Sequence, residues 1–325
     1  MKKVFLTIIL MCIISGNLQD LLCSDKKILL IGKIKLGQKT ESISPNKVEA
    51  AINLATALTD KYLFIPTVLR DSIAEILTDR GIKPRLDTIA DTIGADYIVF
   101  ISVSRIHNML RVELNLAGAK ASGGKNVGEG YANIHYMLED SSQLTDPALL
   151  EAVQRAFAAA VGDSNLFANC EEAFRVFPAA TLVIGGLEYK DDPSFLPKWD
   201  LFDRPIVSSY DAIESIFEQA KESPRFVVYD NATRDSIYSI FNLFMIENFK
   251  PASYLEIEAL GNFLVQRYIT GSFTRFQKHA EIEITLNEVI KGGLKPLKTE
   301  KSIIEKDDLI EFRKILKELT KKLLD

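Results

Sequence analysis

Cysteine is scarce in this sequence, and its scarcity excludes several kinds of structure. The 325 residues contain three cysteines, Cys12, Cys23 and Cys170. Three are too few for a disulfide-held scaffold. No two of them have the CxxC spacing that is typical of zinc sites and redox motifs. We therefore expect no metal site built on cysteine.

Motifs of known catalytic sites are also missing. The three histidines, His107, His135 and His279, do not form HxH, HxxxH or HExxH, and GxSxG does not occur. The glycine-rich residues 118–125 resemble a phosphate-binding loop, but Asn126 stands where that motif needs Ser or Thr after its lysine. We interpret this segment as a hairpin loop. The sequence predicts a non-enzymatic protein without a cofactor.

The chain lacks an excess of positive charge and, beyond its first residues, a long hydrophobic run. Lys and Arg number 39 against 44 Asp and Glu, which gives a net charge of −5. This balance offers no general attraction for nucleic acid or for an anionic membrane. After residue 24 no segment reaches the roughly 18 uncharged apolar residues of a membrane helix. We expect no nucleic-acid partner and, at most, peripheral membrane contact.

The amino terminus has the pattern of an export signal. Two lysines precede an apolar run over residues 4–14, and polar residues follow it. Eleven apolar residues extend about 16 Å as a helix, which is roughly half of the hydrocarbon core of a bilayer. We interpret residues 1–24 as a signal peptide. An alternative is that Cys23 is lipidated, although Leu22 departs from the small residue usual before such a cysteine.

The rest of the chain repeats itself in four blocks that keep their order. The offsets between the two copies are 153, 164, 170 and 162 residues. The paired segments are 30–34 with 183–187, 62–77 with 226–241, 97–114 with 267–284, and 146–150 with 308–310. We interpret the pattern as an internal duplication whose copies differ by loop insertions.

Hydrophobic periodicity predicts the same elements in each copy. Residues 28–34 are an apolar run that only Lys33 interrupts, as in a strand buried on both faces, whereas residues 110–116 alternate as in a strand with one wet face. The predicted order is βαβα, a short helix, three antiparallel strands and a helix. The predicted fold class is α/β with mixed sheets, in two tandem domains. We expect domain 1 at 25–162, a linker at 163–180 and domain 2 at 181–325.

The tripeptide Arg-Asp-Ser occurs in both copies, at residues 70–72 and 234–236. Asp or Ser at such a position is typical of a helix amino-terminal cap, and we expect that role here. An arginine beside a carboxylate also suits anion binding, which remains the alternative.

The carboxy-terminal residues 309–319 have apolar side chains at helical spacing and lysines between them. This pattern suits a helix packed on its own sheet, and that is our expectation because the first copy ends in a matching helix. Binding of the helix to a membrane surface is the alternative.

The segment from Ile89 to Val99, with its Gly94-Ala95-Asp96 turn, is similar to the "iA..lGAdyvv" turn of a known group. The first copy resembles the TolB amino-terminal-domain group, and through it the CsgG, LpoB and FlgT envelope proteins. The resemblance covers about residues 27–160, and it extends to residues 181–323 only through the repeat. It implies a fold without catalytic residues and a role in the cell envelope. The second copy lacks the Gly-Ala-Asp turn.

Residues 190–208 are the most unusual local stretch of the chain. They replace a shorter polar segment of the first copy and contain the only tryptophan. Rigid aromatic side chains on a loop are typical of partner-binding sites. The predicted contact residues are Phe195, Trp199, Phe202 and Arg204. The alternative is that these aromatic rings hold the loop onto its own domain.

These features predict an exported protein, either periplasmic or associated with the outer membrane. We expect it to bind other envelope proteins in assembly, secretion or activation, with self-association among the possible contacts. One alternative is a two-lobed solute-binding protein, and another is an exported hydrolase. A solute-binding protein usually has several chain crossings between its lobes, whereas a tandem repeat predicts one.

Overall fold

The computed structural model describes residues 26–119, 124–134, 146–193, 205–244, 246–306 and 308–325. The predicted signal peptide and the four predicted contact residues Phe195, Trp199, Phe202 and Arg204 lie outside these ranges. None of the helices in the described ranges is long and apolar enough to cross a membrane.

The amino-terminal unit is a five-stranded sheet with helices packed on it. Its sheet has the order β2-β1-β3-β4-β5, in which β1 is parallel to β2 and β3, and the last three strands are antiparallel. Its elements are β1 (Lys27–Leu36), α1 (Pro45–Ala57), β2 (Tyr62–Ile65), α2 (Thr67–Asp79), α3 (Leu86–Ile93), β3 (Tyr97–Ile106), β4 (Met109–Gly118), β5 (Lys125–Asn133) and α4 (Pro147–Val161).

The carboxy-terminal unit has the same elements in the same order. Its sheet runs β10-β9-β8-β6-β7, which is the strand order of the first sheet read from its other edge. Its elements are β6 (Ala180–Asp191), α5 (Pro205–Ala220), β7 (Phe226–Val228), α6 (Asn231–Ile240), α7 (Tyr254–Asn262), β8 (Arg267–Arg275), β9 (Ala280–Ile290), β10 (Gly293–Ile304) and α8 (Leu309–Leu324).

The two sheets also share their strand register. In the first sheet Leu29 is paired with Tyr97, and in the second Leu182 is paired with Arg267. These pairs differ by 153 and 170 residues, which are the offsets of the corresponding sequence blocks. Both central strands have a register shift just after an Ile-Gly step, at Ile31 and at Ile184. The predicted fold class, mixed α/β with two similar sheets, is confirmed.

Some helix caps are the residues expected from the sequence, and others are not. Asp146 and Asp308 cap α4 and α8 by accepting hydrogen bonds from backbone N–H groups. The caps predicted at residues 71–72 and 235–236 are wrong, because α2 begins at Thr67 after Pro66 and α6 follows the cap residue Asp230. Pro66 fixes φ at the start of α2, and Asp230 caps α6 by accepting a hydrogen bond from the backbone N–H of Thr233, so both helices start before the Asp-Ser residues.

Helices α4 and α8 supply the apolar cover of the two sheets. Phe312, Leu316 and Leu323 of α8 are almost fully buried in the core of the second sheet. The apolar face of α8 is therefore already in contact with its own sheet, as expected. On the first sheet, α4 lies so close to β5 that a Cβ at Gly128 or Gly130 would overlap the helix backbone.

The chain passes from one unit to the other once, through residues 162–179. This connection packs on the first unit: Phe167 is buried in its core, and Gln154 donates a hydrogen bond to the Phe174 carbonyl at 2.8 Å. Arg155 of α4 donates to Phe177 O at 3.1 Å and to Tyr131 O at 2.7 Å. The connection is thus held against α4 and β5.

The turn between β3 and β4, together with Met109 at the start of β4, contacts the second unit directly. Met109 is 2% exposed and belongs to a core cluster that also contains Val227 and Ile237. Next to it, Thr233 Oγ1 donates a hydrogen bond to Asn108 Oδ1 at 2.5 Å. The amide of Asn108 also donates to the Val228 carbonyl, at 3.5 Å. The two units therefore share a small apolar and hydrogen-bonded junction.

Candidate functional site

The predicted contact loop leaves the second sheet at a charged clamp. Arg275, at the end of β8, donates from Nε to Asp191 Oδ1 at 2.6 Å and from Nη2 to Asp191 Oδ2 at 3.0 Å. The backbone N–H of Asp192 also donates to the Arg275 carbonyl at 2.9 Å. A bidentate pair of this kind is strong and directional. It fixes the chain just before Pro193, so the loop starts from a rigid base.

The first unit has no counterpart of this clamp. Arg105 is equivalent to Arg275, but its Nε donates to the backbone carbonyl of His107 at 2.8 Å. Gln38 stands at the position of Asp191, and the chain leaves β1 through a hydrogen bond from Gly37 N to Val103 O. The carboxylate is therefore specific to the unit with the long loop. Sequence reasoning missed the clamp, because its two residues are 84 positions apart.

The two Arg-Asp pairs lie at the register shifts of the central strands. Arg70 Nη1 donates to Gly32 O at 2.6 Å, and Arg234 Nη1 donates to Ile184 O at 3.2 Å. Each arginine also pairs with the next residue, Asp71 or Asp235. Because a register shift leaves strand carbonyls without ladder partners, the arginines satisfy them. The Arg234 side chain is only 2% exposed, so this geometry favours a structural role over anion binding.

A cleft of about 860 Å³ lies between the units, mostly on the second. The first unit contributes Glu129 and Tyr131 of β5, together with Ala179 of the connection. The second unit contributes α7 and the turn between β9 and β10. The apolar side chains of this wall are Tyr254, Ile257, Leu264, Val265, Val289 and Ile290.

The polar residues that the first unit contributes to the cleft are already paired. Glu129 accepts a hydrogen bond from Arg111 Nη2 at 2.7 Å and another from the Tyr131 hydroxyl at 2.6 Å. Burial, followed by the hydrogen bond to Glu129, raises the pKa of Tyr131. Burial likewise raises the pKa of the nearby Tyr229. These phenols remain protonated and neutral, and an acid–base role at neutral pH is not favoured.

The histidines do not converge on a site within the described residues. His107 lies in the turn between β3 and β4 with a φ of 45°, and His279 stacks on Phe276 with ring centroids 4.7 Å apart. His135 lies outside the described ranges. Across the ranges that the structure covers, no group of three His, Cys, Asp or Glu side chains is placed to hold a metal ion.

No known family profile and no curated protein matches the chain. Among solved structures, the LpoB carboxy-terminal domain from Salmonella enterica is 11% identical, with 40% of this chain and 86% of that chain covered and a TM-score of 0.30. Lipoprotein GNA1162 from Neisseria meningitidis is 12% identical, with 39% of this chain and 81% of that chain covered and a TM-score of 0.30. A chain of the PelC dodecamer from Paraburkholderia phytofirmans is 8% identical, with 45% of this chain and 86% of that chain covered and a TM-score of 0.25. Each of these likenesses covers less than half of this chain.

Proposed function

We propose that this protein is an exported, non-enzymatic component of the cell envelope that binds another envelope protein through its second domain. The domains are residues 25–162 and 181–325, joined by the segment 163–180. The observation on which the proposal rests is the Asp191–Arg275 clamp at the base of the long aromatic loop. The predicted contact residues on that loop are Phe195, Trp199, Phe202 and Arg204.

The clamp supports binding because a rigid base lowers the entropy that the loop loses when it is ordered. The loop also contains Pro193 and Pro197, and α5 begins at Pro205 directly after it; these prolines restrict the unbound chain. A loop that served only to connect β6 with α5 would need neither feature. The first unit makes the same connection with a short segment between Leu36 and Pro45.

The chain path favours this proposal over a two-lobed solute-binding protein. The first sheet is built from residues 27–133 and the second from residues 180–304, with one connection between them. Clamshell binders use several crossing strands as a hinge, so that the lobes close over a ligand. Internal duplication followed by a loop insertion in the second copy accounts for the path and for the shared strand order.

Photo-cross-linking in cells tests the proposal. A photoreactive amino acid at position 199 of the full-length, exported protein should give one discrete adduct with another envelope protein. The same amino acid at Tyr210, an exposed aromatic position on α5, is the matched control and should give none. Absence of a discrete adduct at 199 in an exported and folded protein would refute the proposal. Retention of the chain in the cytoplasm would refute it as well.

A further inference from the structure

The connection between α6 and α7 differs sharply from its counterpart in the first unit. Residues 241–253 form this connection in the second unit, whereas residues 80–85 join α2 to α3 in the first. The short connection reads RGIKPR and is basic, and the long one reads FNLFMIENFKPAS and is rich in aromatic and aliphatic residues. The insertion thus places apolar residues at one corner of the molecule.

The inserted segment is anchored on the second sheet. Asn248 is 7% exposed and lies directly over Gly186, where a Cβ would overlap the Asn248 backbone. The backbone N–H of Tyr189 donates to Phe249 O at 3.2 Å. In the first unit the position of Gly186 is occupied by Lys33, which is exposed. The glycine therefore makes room for the inserted segment, which holds its apolar residues in a fixed place.

The anchored segment, α7 and the residues just after it expose several large apolar side chains, which we call the α6–α7 corner. Phe241 contacts Phe263, the neighbour of Leu264, and Leu264 lines the cleft together with Tyr254. The corner comprises Phe241 (37% exposed), Phe244 (68%), Tyr254 (58%), Leu255 (57%) and Leu264 (47%). With about 150–250 Å² for each aromatic side chain, the three rings alone expose about 250–400 Å².

The exposed apolar area and the local charge limit the kind of molecule that can bind the corner. A stable dimer needs about 800 Å² from each partner, so the corner alone falls short of a self-interface. An anionic membrane would call for an excess of basic residues. Lys250 is paired with Glu247, and Arg267 of the cleft is paired with Glu288. The cleft lining also contains one lysine, Lys291, against the two glutamates Glu129 and Glu258, so it has no excess of positive charge. Glu258 is exposed on the same face of α7 as Tyr254 and Leu255, and it forms no ion pair within the described part of the chain.

We infer that the α6–α7 corner and the adjoining cleft bind a short peptide segment of another protein, one with apolar anchors and a neighbouring Lys or Arg. The apolar anchors enter the cleft beside Tyr254 and Leu264, and the basic residue pairs with Glu258. This inference rests on the proposed protein-binding function and adds a second surface and the chemistry of its ligand.

A displayed library of short random peptides, selected against the purified full-length protein, tests the inference. Selected peptides should combine apolar residues with a Lys or Arg. Their affinity, measured by fluorescence anisotropy, should fall about tenfold with Tyr254→Ser or Leu255→Ser, which is about 1.4 kcal/mol. Glu258→Lys should weaken binding to the same extent. Tyr210→Ser, at an exposed tyrosine on α5, is the control and should leave the affinity unchanged.

Three results would overturn the inference. Equal affinity of the selected peptides for Tyr254→Ser and for the control, with all proteins of equal melting temperature, would show that the corner is not their binding site. A self-association lost in Leu255→Ser would assign the corner to a second copy. Binding to phosphatidylethanolamine–phosphatidylglycerol vesicles that Phe244→Ser abolishes would assign it to a lipid surface. Because the peptide assay uses neither the cell envelope nor position 199, its outcome is separable from that of the cross-linking experiment.

Discussion

Arg70 and Arg234 occupy the same position in their units but differ in burial. Each is the fourth residue of its helix and donates to a carbonyl of the central strand. The Arg70 side chain is 19% exposed, and that of Arg234 is 2% exposed. Removal of Arg234 would leave buried polar groups without a partner, whereas water can reach the place of Arg70.

We therefore predict unequal costs for the two alanine substitutions. Arg234→Ala should lower the free energy of unfolding by about 3 kcal/mol. Arg70→Ala should lower it by about 1 kcal/mol, because its exposure to solvent weakens the ion pair. Urea unfolding of both variants measures the difference. Equal costs, or a larger cost at Arg70, would contradict the role of Arg234 as the buried partner of the Ile184 carbonyl.

Burial of Tyr268 makes the free energy of unfolding depend on pH in the alkaline range. It is 3% exposed, and burial raises its pKa to about 12 from an ordinary value of 10. Between these two values the unfolded state loses the proton more readily than the folded state does. Stability from this group is therefore complete below about pH 10, and it is lost as the pH rises toward 12.

With Tyr268→Phe, the free energy of unfolding should fall less steeply as the pH rises above 10. One titrating group contributes at most about 1.4 kcal/mol per pH unit, so the slope of unfolding free energy against pH should fall by up to that amount. Urea unfolding at a series of pH values from neutral to strongly alkaline gives the slope. An unchanged slope would show that Tyr268 titrates alike in the folded and unfolded states.

The contact between β5 and α4 depends on two glycines. Gly128 and Gly130 lie on one face of β5, where their missing side chains allow the backbone of α4 to approach. The helix side of the contact is formed by alanines, among them Ala152, Ala156 and Ala160. Strand and helix are therefore held closer than ordinary side chains permit.

Gly130→Ala should push α4 away from the sheet and cost about 1–3 kcal/mol of stability. Gly124→Ala is the matched control, because no atom lies within 4 Å of its added Cβ, and it should change stability by less than about 0.5 kcal/mol. Thermal unfolding of the two variants distinguishes the sites. A Gly130→Ala protein as stable as the wild type would refute the close contact.

The order of the elements could be predicted from the sequence, because each has a clear periodicity. The buried part of β1, residues 28–32, is an unbroken apolar run, β4 alternates, and Gly94 ends α3 in a left-handed conformation. The offsets of two sequence blocks, 153 and 170 residues, are also those between equivalent paired positions of the two sheets. Helix starts were less predictable, because several residues near Pro66 and Ser44 compete as caps.

The candidate binding surfaces could be predicted only in part. The aromatic loop is visible as an insertion that contains Trp199, and its role stays a prediction because its aromatic residues lie outside the described ranges. The α6–α7 corner was missed, because its exposure depends on Asn248 resting over Gly186, some 60 residues earlier in the chain. Such a contact between distant segments leaves no periodic signal in the sequence.

The two units meet at a junction that should couple their unfolding. Met109 of the first unit is buried in a core cluster of the second, and Asn108 forms hydrogen bonds with Thr233. Independent motion is the default for domains joined by a small interface. A buried side chain from one unit within the core of the other opposes that motion.

We predict one cooperative transition for the wild-type protein in scanning calorimetry. Met109→Ala should remove apolar contacts worth about 2–4 kcal/mol and separate the transition into two. Val127→Ala, at an exposed position of β5, is the control and should keep a single transition. Two transitions in the wild-type protein would contradict the coupling.

The central claim is that the second domain binds an envelope protein through the loop held by Asp191 and Arg275. The most direct measurement is the dissociation constant between the partner identified by cross-linking and the Trp199→Ala variant. Trp199→Ala should weaken binding by about 2 kcal/mol, which is about thirtyfold in affinity, with an unchanged melting temperature. An unchanged affinity, or a variant that loses its fold without a specific binding defect, would contradict it.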